Sequence, residues 1–416
     1  MKTRTLLITA GCLLLFSMAA LADSSNRLYG KIYTVDGDVL EGLIRWDKNE
    51  ASWLDILNGT KELPRKNFRG DKDSDRRRYS DRGNTRIEFF GITIGEKNSW
   101  ESPSSASAAI RMGHIRTLEV LDDDRALLIL KSGKEVELEN SSTDLGSGIR
   151  EIVIEEKDQG ELELVWDDIE KIDFMAAPSS AKSKFGERLF GTLTTRRGDT
   201  FTGFICWDVD ELFGSDILDG EEGRRDRKVP FDKIAAIERY SSKAAKVTFK
   251  NGDEVVLRGS NDVDDSNRGV IVADPGFGEV IVQWRDFEKV AFTDPSATVR
   301  YDDFDGGRPI FGTVYTDDGQ SYTGRIRWDN DEEYTWEILD GEYRDIDFDI
   351  EFGLVKQITR RGYRGSLVTV LDGREFHLRD SNDVDDDNKG IFITTDEGNE
   401  VSVYWDEFDR VEFTRK

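Results

Sequence analysis

The chain has 416 residues, with 85 Asp and Glu against 58 Lys and Arg, for a formal net charge of −27 at neutral pH. That balance repels phosphate backbones and disfavours nucleic acid as a partner. Its apolar residues come in short regular runs, which argues against both a disordered chain and a bundle of membrane-spanning helices.

Residues 1–22 read as a secretory signal. Lys2 and Arg4 open it, an apolar run extends from Leu6 to Leu21, and Ala20-Leu21-Ala22 forms a small-x-small cleavage site before Asp23. Ala10-Gly11-Cys12 resembles the end of a lipobox, but Thr9 breaks the pattern and the apolar run continues past Cys12, so cleavage is preferred to a lipid anchor. The mature chain is expected in the periplasm or outside the cell. Without Lys2 and Arg4 its net charge is about −29. It keeps one cysteine, Cys206, so an internal disulfide is impossible and the fold must rest on its cores.

After the leader, one pattern is written three times. A Gly-x-Ile/Phe-x-Trp-Asp strand ends at Trp46, Trp207 and Trp328, and nine residues past each Trp begins Asp55-Ile56-Leu57, Asp216-Ile217-Leu218 or Glu337-Ile338-Leu339. The copies span residues 23–175, 187–293 and 307–416, with linkers at 176–186 and 294–306 that composition marks as exposed and permissive. Each copy divides into two halves of about 50 residues built from alternating strands and Gly/Asp turns.

All six halves end on the same phrase, with apolar residues at offsets 0, 3 and 6. These are Met112/Ile115/Leu118, Trp166/Ile169/Ile172, Phe231/Ile234/Ile237, Trp284/Phe287/Val290, Phe352/Val355/Ile358 and Trp405/Phe408/Val411. That spacing predicts a single 3₁₀ turn between two strands. Five short strands with such a turn before the last resemble the SH3-like and Sm-like class of small barrels. The resemblance implies an all-β protein of three tandem repeats, each a pair of five-stranded barrels, about six units in all. It names no activity, because such barrels carry unrelated functions.

The first copy carries an insertion at about residues 60–107. It begins basic, with Arg76, Arg77, Arg78 and Arg82 among its cations, and turns apolar at residues 87–94, which predicts a strand or hairpin. The arginines are candidates for docking an anionic partner on an otherwise negative protein.

The loops of the second halves are the main binding candidates. They hold Asn261, Asp262, Asp264, Asp265 and Asn267 in the second copy, and Asn382, Asp383, Asp385, Asp387 and Asn388 in the third. Carboxylates at alternate positions, Asp262/Asp264 and Asp383/Asp385/Asp387, are candidate ligands for Ca²⁺. The EF-hand pattern is absent, and Asx-type turns would also account for such runs. In the first copy Ser141-Ser142-Thr143-Asp144 stands at this place with most acids lost.

No catalytic residue is assigned. His114 and His377 occupy non-equivalent places, and the common nucleophile, zinc and phosphate-loop signatures are missing. The expected function is therefore an exported acidic binding or scaffolding module for a protein or cell-surface polymer, with Ca²⁺ as its candidate cofactor. The alternative is carbohydrate binding or glycan hydrolysis, with Trp46, Trp207 and Trp328 as a stacking platform and the neighbouring acids on sugar hydroxyls.

Overall fold

A computed structural model describes residues 24–63, 85–89, 92–97, 105–156, 160–296 and 298–415. The leader and Arg76, Arg77, Arg78 and Arg82 lie outside the described residues. Those described form an all-β structure of antiparallel strands, four to eight residues long, linked by tight turns. None of their helices is long and apolar enough to cross a membrane. Four of the six closing phrases form 3₁₀ turns, at Met112–His114, Trp166–Asp168, Phe231–Lys233 and Phe352–Leu354. The other two, at Trp284 and Trp405, are wider turns in which the Phe287 and Phe408 amides reach back four residues, to the carbonyls of Gln283 and Tyr404.

Ten strands of the first copy make one open sheet. Its order is Gly160–Leu164, Ile152–Glu156, Val39–Trp46, Tyr29–Thr34, Ile169–Phe174, Ile115–Val120, Arg125–Leu130, Glu135–Glu139, Ile56–Glu62, Ser105–Arg111. The third copy has the same ladders, from Glu400–Val403 at one end to Ile346–Glu351 at the other. The second follows them as far as Glu254–Leu257. Its remaining hairpin, Ile217–Glu222 with Arg225–Pro230, joins through one bridge between Glu221 and Arg258.

This order corrects the expectation of two consecutive halves. The first two strands of each copy pair with strands from its far end, and the middle five strands form the other side. The motif glycine shows why. At Gly42 an added Cβ would lie 2.2 Å from the carbonyl oxygen of Glu155, and at Gly324 2.2 Å from that of Thr394. Only glycine lets the Trp-bearing strand lie this close to a strand from the other half.

The insertion interrupts a hairpin. Ile56–Glu62 pairs with Ser105–Arg111 across it, whereas Ile338–Tyr343 and Ile346–Glu351 turn through only Arg344 and Asp345, both at positive φ. Within the insertion, Thr85–Phe89 and Ile92–Lys97 pair as a hairpin of their own, as the apolar run at 87–94 predicts.

The three copies pack against one another. Edge strand Gly278–Val282 of the second pairs with Ile346–Glu351 of the third, which fuses their sheets and merges their cores. The core of the first takes in Phe190 and Phe204 of the second and Trp336 of the third. Residues 176–186 are mostly exposed, as expected, but the second linker is not an exposed spacer. Val299, Tyr301 and Phe304 are buried against the first copy, where Tyr301 donates its hydroxyl to the Ile115 carbonyl at 3.0 Å. Phe185 stacks on Phe213. Apolar residues among the polar ones in these stretches decide the outcome, since aromatic surface of this size is strongly driven into a core.

Candidate functional site

Under each motif tryptophan the same arrangement of carboxylates recurs. The strand ends at the Trp, and the chain reverses through two residues at positive φ: Asp47 and Lys48, Asp208 and Val209, Asp329 and Asn330. Asp and Asn tolerate that conformation better than most residues. A glutamate follows, Glu50, Glu211 or Glu332, bridged by its backbone to the Trp. Trp46, Trp207 and Trp328 have no exposed surface. They offer no face for a sugar ring, and the carbohydrate platform loses its footing.

Each indole N–H instead donates to the backbone carbonyl of an aspartate from the far loop: Asp144 at 2.8 Å, Asp262 at 3.0 Å and Asp383 at 2.9 Å. The carboxylates of these aspartates accept the amides of Asn58, Asp219 and Asp340 at 2.8, 2.6 and 3.0 Å. The Trp-Asp aspartates accept from the same loop, through the amides of Arg150, Arg268 and Lys389 and the side chains of Thr143, Asn261 and Asn382. Arg150 also pairs with Asp47 through its side chain, and Arg268 with Asp208.

The nodes are electrostatically tense. In the first copy, oxygens of Asp47, Glu50 and Asp144 all lie within 4.8 Å of one another, and each residue is at most 1% exposed. Burial, then the charges of Asp144 and Asp47, pushes Glu50 well above the ordinary carboxylate range. Burial, then Asp47, lifts Asp144 to about 7. In the second copy Asp208, Asp210 and Glu211 form a comparable group, and burial lifts Asp262 to about 7. In the third, burial raises Asp329, Glu332 and Asp383.

The loop acids singled out from sequence turn to separate partners. Asp262 and Asp383 face inward, whereas Asp264 and Asp385 accept the amides of Ser266 and Asp387 at 2.9 and 3.0 Å in Asx turns. Asp265 pairs with Lys243, and the Asp387 carbonyl accepts from Lys389. Asn267 and Asn388 each accept a glycine amide at 3.0 Å, and Asn261 and Asn382 hold the Trp-Asp aspartates. The candidate Ca²⁺ sets Asp262/Asp264 and Asp383/Asp385/Asp387 are thus divided between the node and the surface.

Sequence reasoning left the acid before Ile-Leu without a role. One oxygen of Asp55, Asp216 and Glu337 caps two amides of its own copy, and the other takes a cation from a different copy. Asp55 binds Arg188 at 2.7 Å, Asp216 binds Arg45 at 3.0 Å, and Glu337 binds Lys61. The first and second of these pairs hold copies one and two together, and the third holds copy one to copy three. Its recurrence before each Ile-Leu was the available signal. His114, buried in the closing turn of the first copy, accepts the Gly306 amide at 3.1 Å and lies 3.3 Å from Glu351 of the third. Burial opposes ionisation of Glu351, yet His114 and Arg111 beside it hold its pKa below the ordinary value. Cys206 is buried, and burial raises its thiol pKa well above the ordinary range, which makes it unreactive.

No protein-family model, curated protein or solved structure matches this chain.

Proposed function

We propose that the chain is an exported, acidic binding or scaffolding module that presents its loops to a protein or cell-surface polymer. The observation that carries this reading is the docking of the copies, through ion pairs enclosed between them and a shared sheet, into one body. A preorganised surface loses little ordering entropy on binding. Six SH3-like or Sm-like units in three pairs make up this body. In support, Tyr29–Thr34, Val39–Trp46, Ile152–Glu156 and Gly160–Leu164 run as a meander, a 3₁₀ turn follows, and Ile169–Phe174 returns beside the first strand. The inner five strands keep that order in permuted form, with the turn Met112–His114 between Ser105–Arg111 and Ile115–Val120.

Fractionation of cells expressing the full chain, with the mature N-terminus read by mass spectrometry, should find Asp23 at the start of an exported protein. Purified residues 23–416 should then cosediment saturably with washed cell envelopes. Loss of binding after protease treatment would assign a protein partner, and loss after glycan stripping a polymer. No saturable binding at low ionic strength would overturn the reading.

A further inference from the structure

The geometry points to a calcium site formed by the carboxylates of Asp47, Glu50 and Asp144 beneath Trp46. These residues are not the surface acids of the Asp-rich loops, and cation uptake here can be read separately from any partner.

Glu50 carries the assignment. It is 1% exposed, one of its oxygens stands within 4.8 Å of both aspartates, and its Oε2 is buried without a hydrogen-bond partner. A buried carboxylate oxygen with no donor of its own is costly unless a proton or a cation meets it. The same oxygen is left unpartnered at the equivalent Glu211 and Glu332. Charge fits as well. Once ionised, the three carboxylates, offset by the Arg150 guanidinium, carry the two negative charges that one divalent ion neutralises.

Coordination chemistry favours calcium. The three oxygens lie within 4.8 Å of one another, near enough for one ion to bridge, and Ca²⁺ accepts oxygen ligands at roughly 2.3–2.6 Å in flexible geometry. Mg²⁺ needs about 2.0–2.1 Å and holds on to several waters, for which a node of three enclosed carboxylates is a poor host. The first copy is favoured over the second because Asp210 and Glu211 are only half-buried there. Enclosure also implies that the ion enters as the chain folds.

The test refolds residues 23–416 from denaturant in chelator, in Ca²⁺ or in Mg²⁺, followed by gel filtration, metal analysis and melting. Wild type should keep one Ca²⁺ per chain and gain about 3 °C at a hundredfold excess over Kd, with no such gain in Mg²⁺. Glu50→Gln should lose the ion and the gain, yet melt in chelator no lower than wild type, since it relieves carboxylate repulsion. Asp264→Asn/Asp385→Asn should retain both. Should Glu50→Gln fail to fold, Asp144→Asn replaces it, keeping an oxygen for the Asn58 amide. Wild type without retained Ca²⁺, or an ion lost with the loop variant and kept by Glu50→Gln, would overturn the assignment.

Discussion

Arg188 and Asp55 join the second copy to the first through side chains only 1% and 7% exposed, at 2.7 Å. Replacing Arg188 with Met keeps much of the bulk but strips Asp55 of its cation, leaving it the amides of Ala51 and Ser52 at 2.7 and 2.8 Å. Removing one partner of such a buried pair costs about 3–5 kcal/mol. Unfolding entropy is about 2.1 cal/mol/K per residue, so a body of about 390 residues melting as a unit should lose about 4–6 °C. A copy of about 110 residues melting alone should instead lose roughly 13–22 °C. Differential scanning calorimetry thus reads both the strength of the clamp and the size of the cooperative unit. Asp55→Asn keeps an oxygen toward the amides, and the double variant should cost less than the sum of the singles by at least about 1 kcal/mol. Single variants that shift melting by less than about 1 °C, or a strictly additive double, would refute the clamp.

Gly42→Ala should cost at least about 1–3 kcal/mol by chemical denaturation, because its new methyl meets the Glu155 carbonyl oxygen at 2.2 Å; an unchanged midpoint would show that the paired strands can separate freely. Replacing residues 63–104 with Asn-Gly should leave melting within about 2 °C of wild type, since the equivalent hairpin of the third copy closes in two residues and longer loops add little closure entropy. A larger loss would mean that the insertion is part of the core. Across the seam between copies two and three, Glu279 faces Asp349 in register. Burial, then the charges of neighbouring acids, holds Glu279 well above its ordinary value and lifts Asp349 to about 7. Raised native pKa values mean that the native state binds more protons than the unfolded one, so Asp349's contribution to stability is full below about pH 4 and is lost as pH rises through about 7. Asp349→Asn should flatten the decline in melting temperature between pH 5 and pH 8, and an unchanged slope would remove the seam from the account.

Strand content and four of the six closing 3₁₀ turns were legible because period-2 alternation and the closing-phrase spacing are local signals. Exchange of strands between halves was not. Alternation tells which side chains face inward but not which strand lies alongside, and only the glycine before Ile-x-Trp hinted at a close neighbour. The second linker misled for a related reason. Its Pro, Ser and Asp content signals a flexible spacer, while the aromatics that decide its packing, Tyr301 and Phe304, find partners only in another copy. The Asp-rich loops stood out because acids are conspicuous in sequence, yet their burial depends on tertiary contacts that no local pattern encodes.

Strand exchange also explains where the carboxylates gather. Asp47 and Glu50 come from the turn that ends the second strand, and Asp144 from the loop before Ile152–Glu156, which pairs with that strand. Pairing brings the turn and the loop together at the same end of the ladder, and Trp46 closes the gap by donating to the Asp144 carbonyl at 2.8 Å. In the first copy the two sides therefore meet at three buried carboxylates, and burial raises the cost of leaving their charge uncompensated. A fold that only needed the connection could have used an apolar contact. Three acids kept in the first node, with an unpartnered glutamate oxygen at the same place in all three copies, are better explained by something the node holds than by the joint it makes.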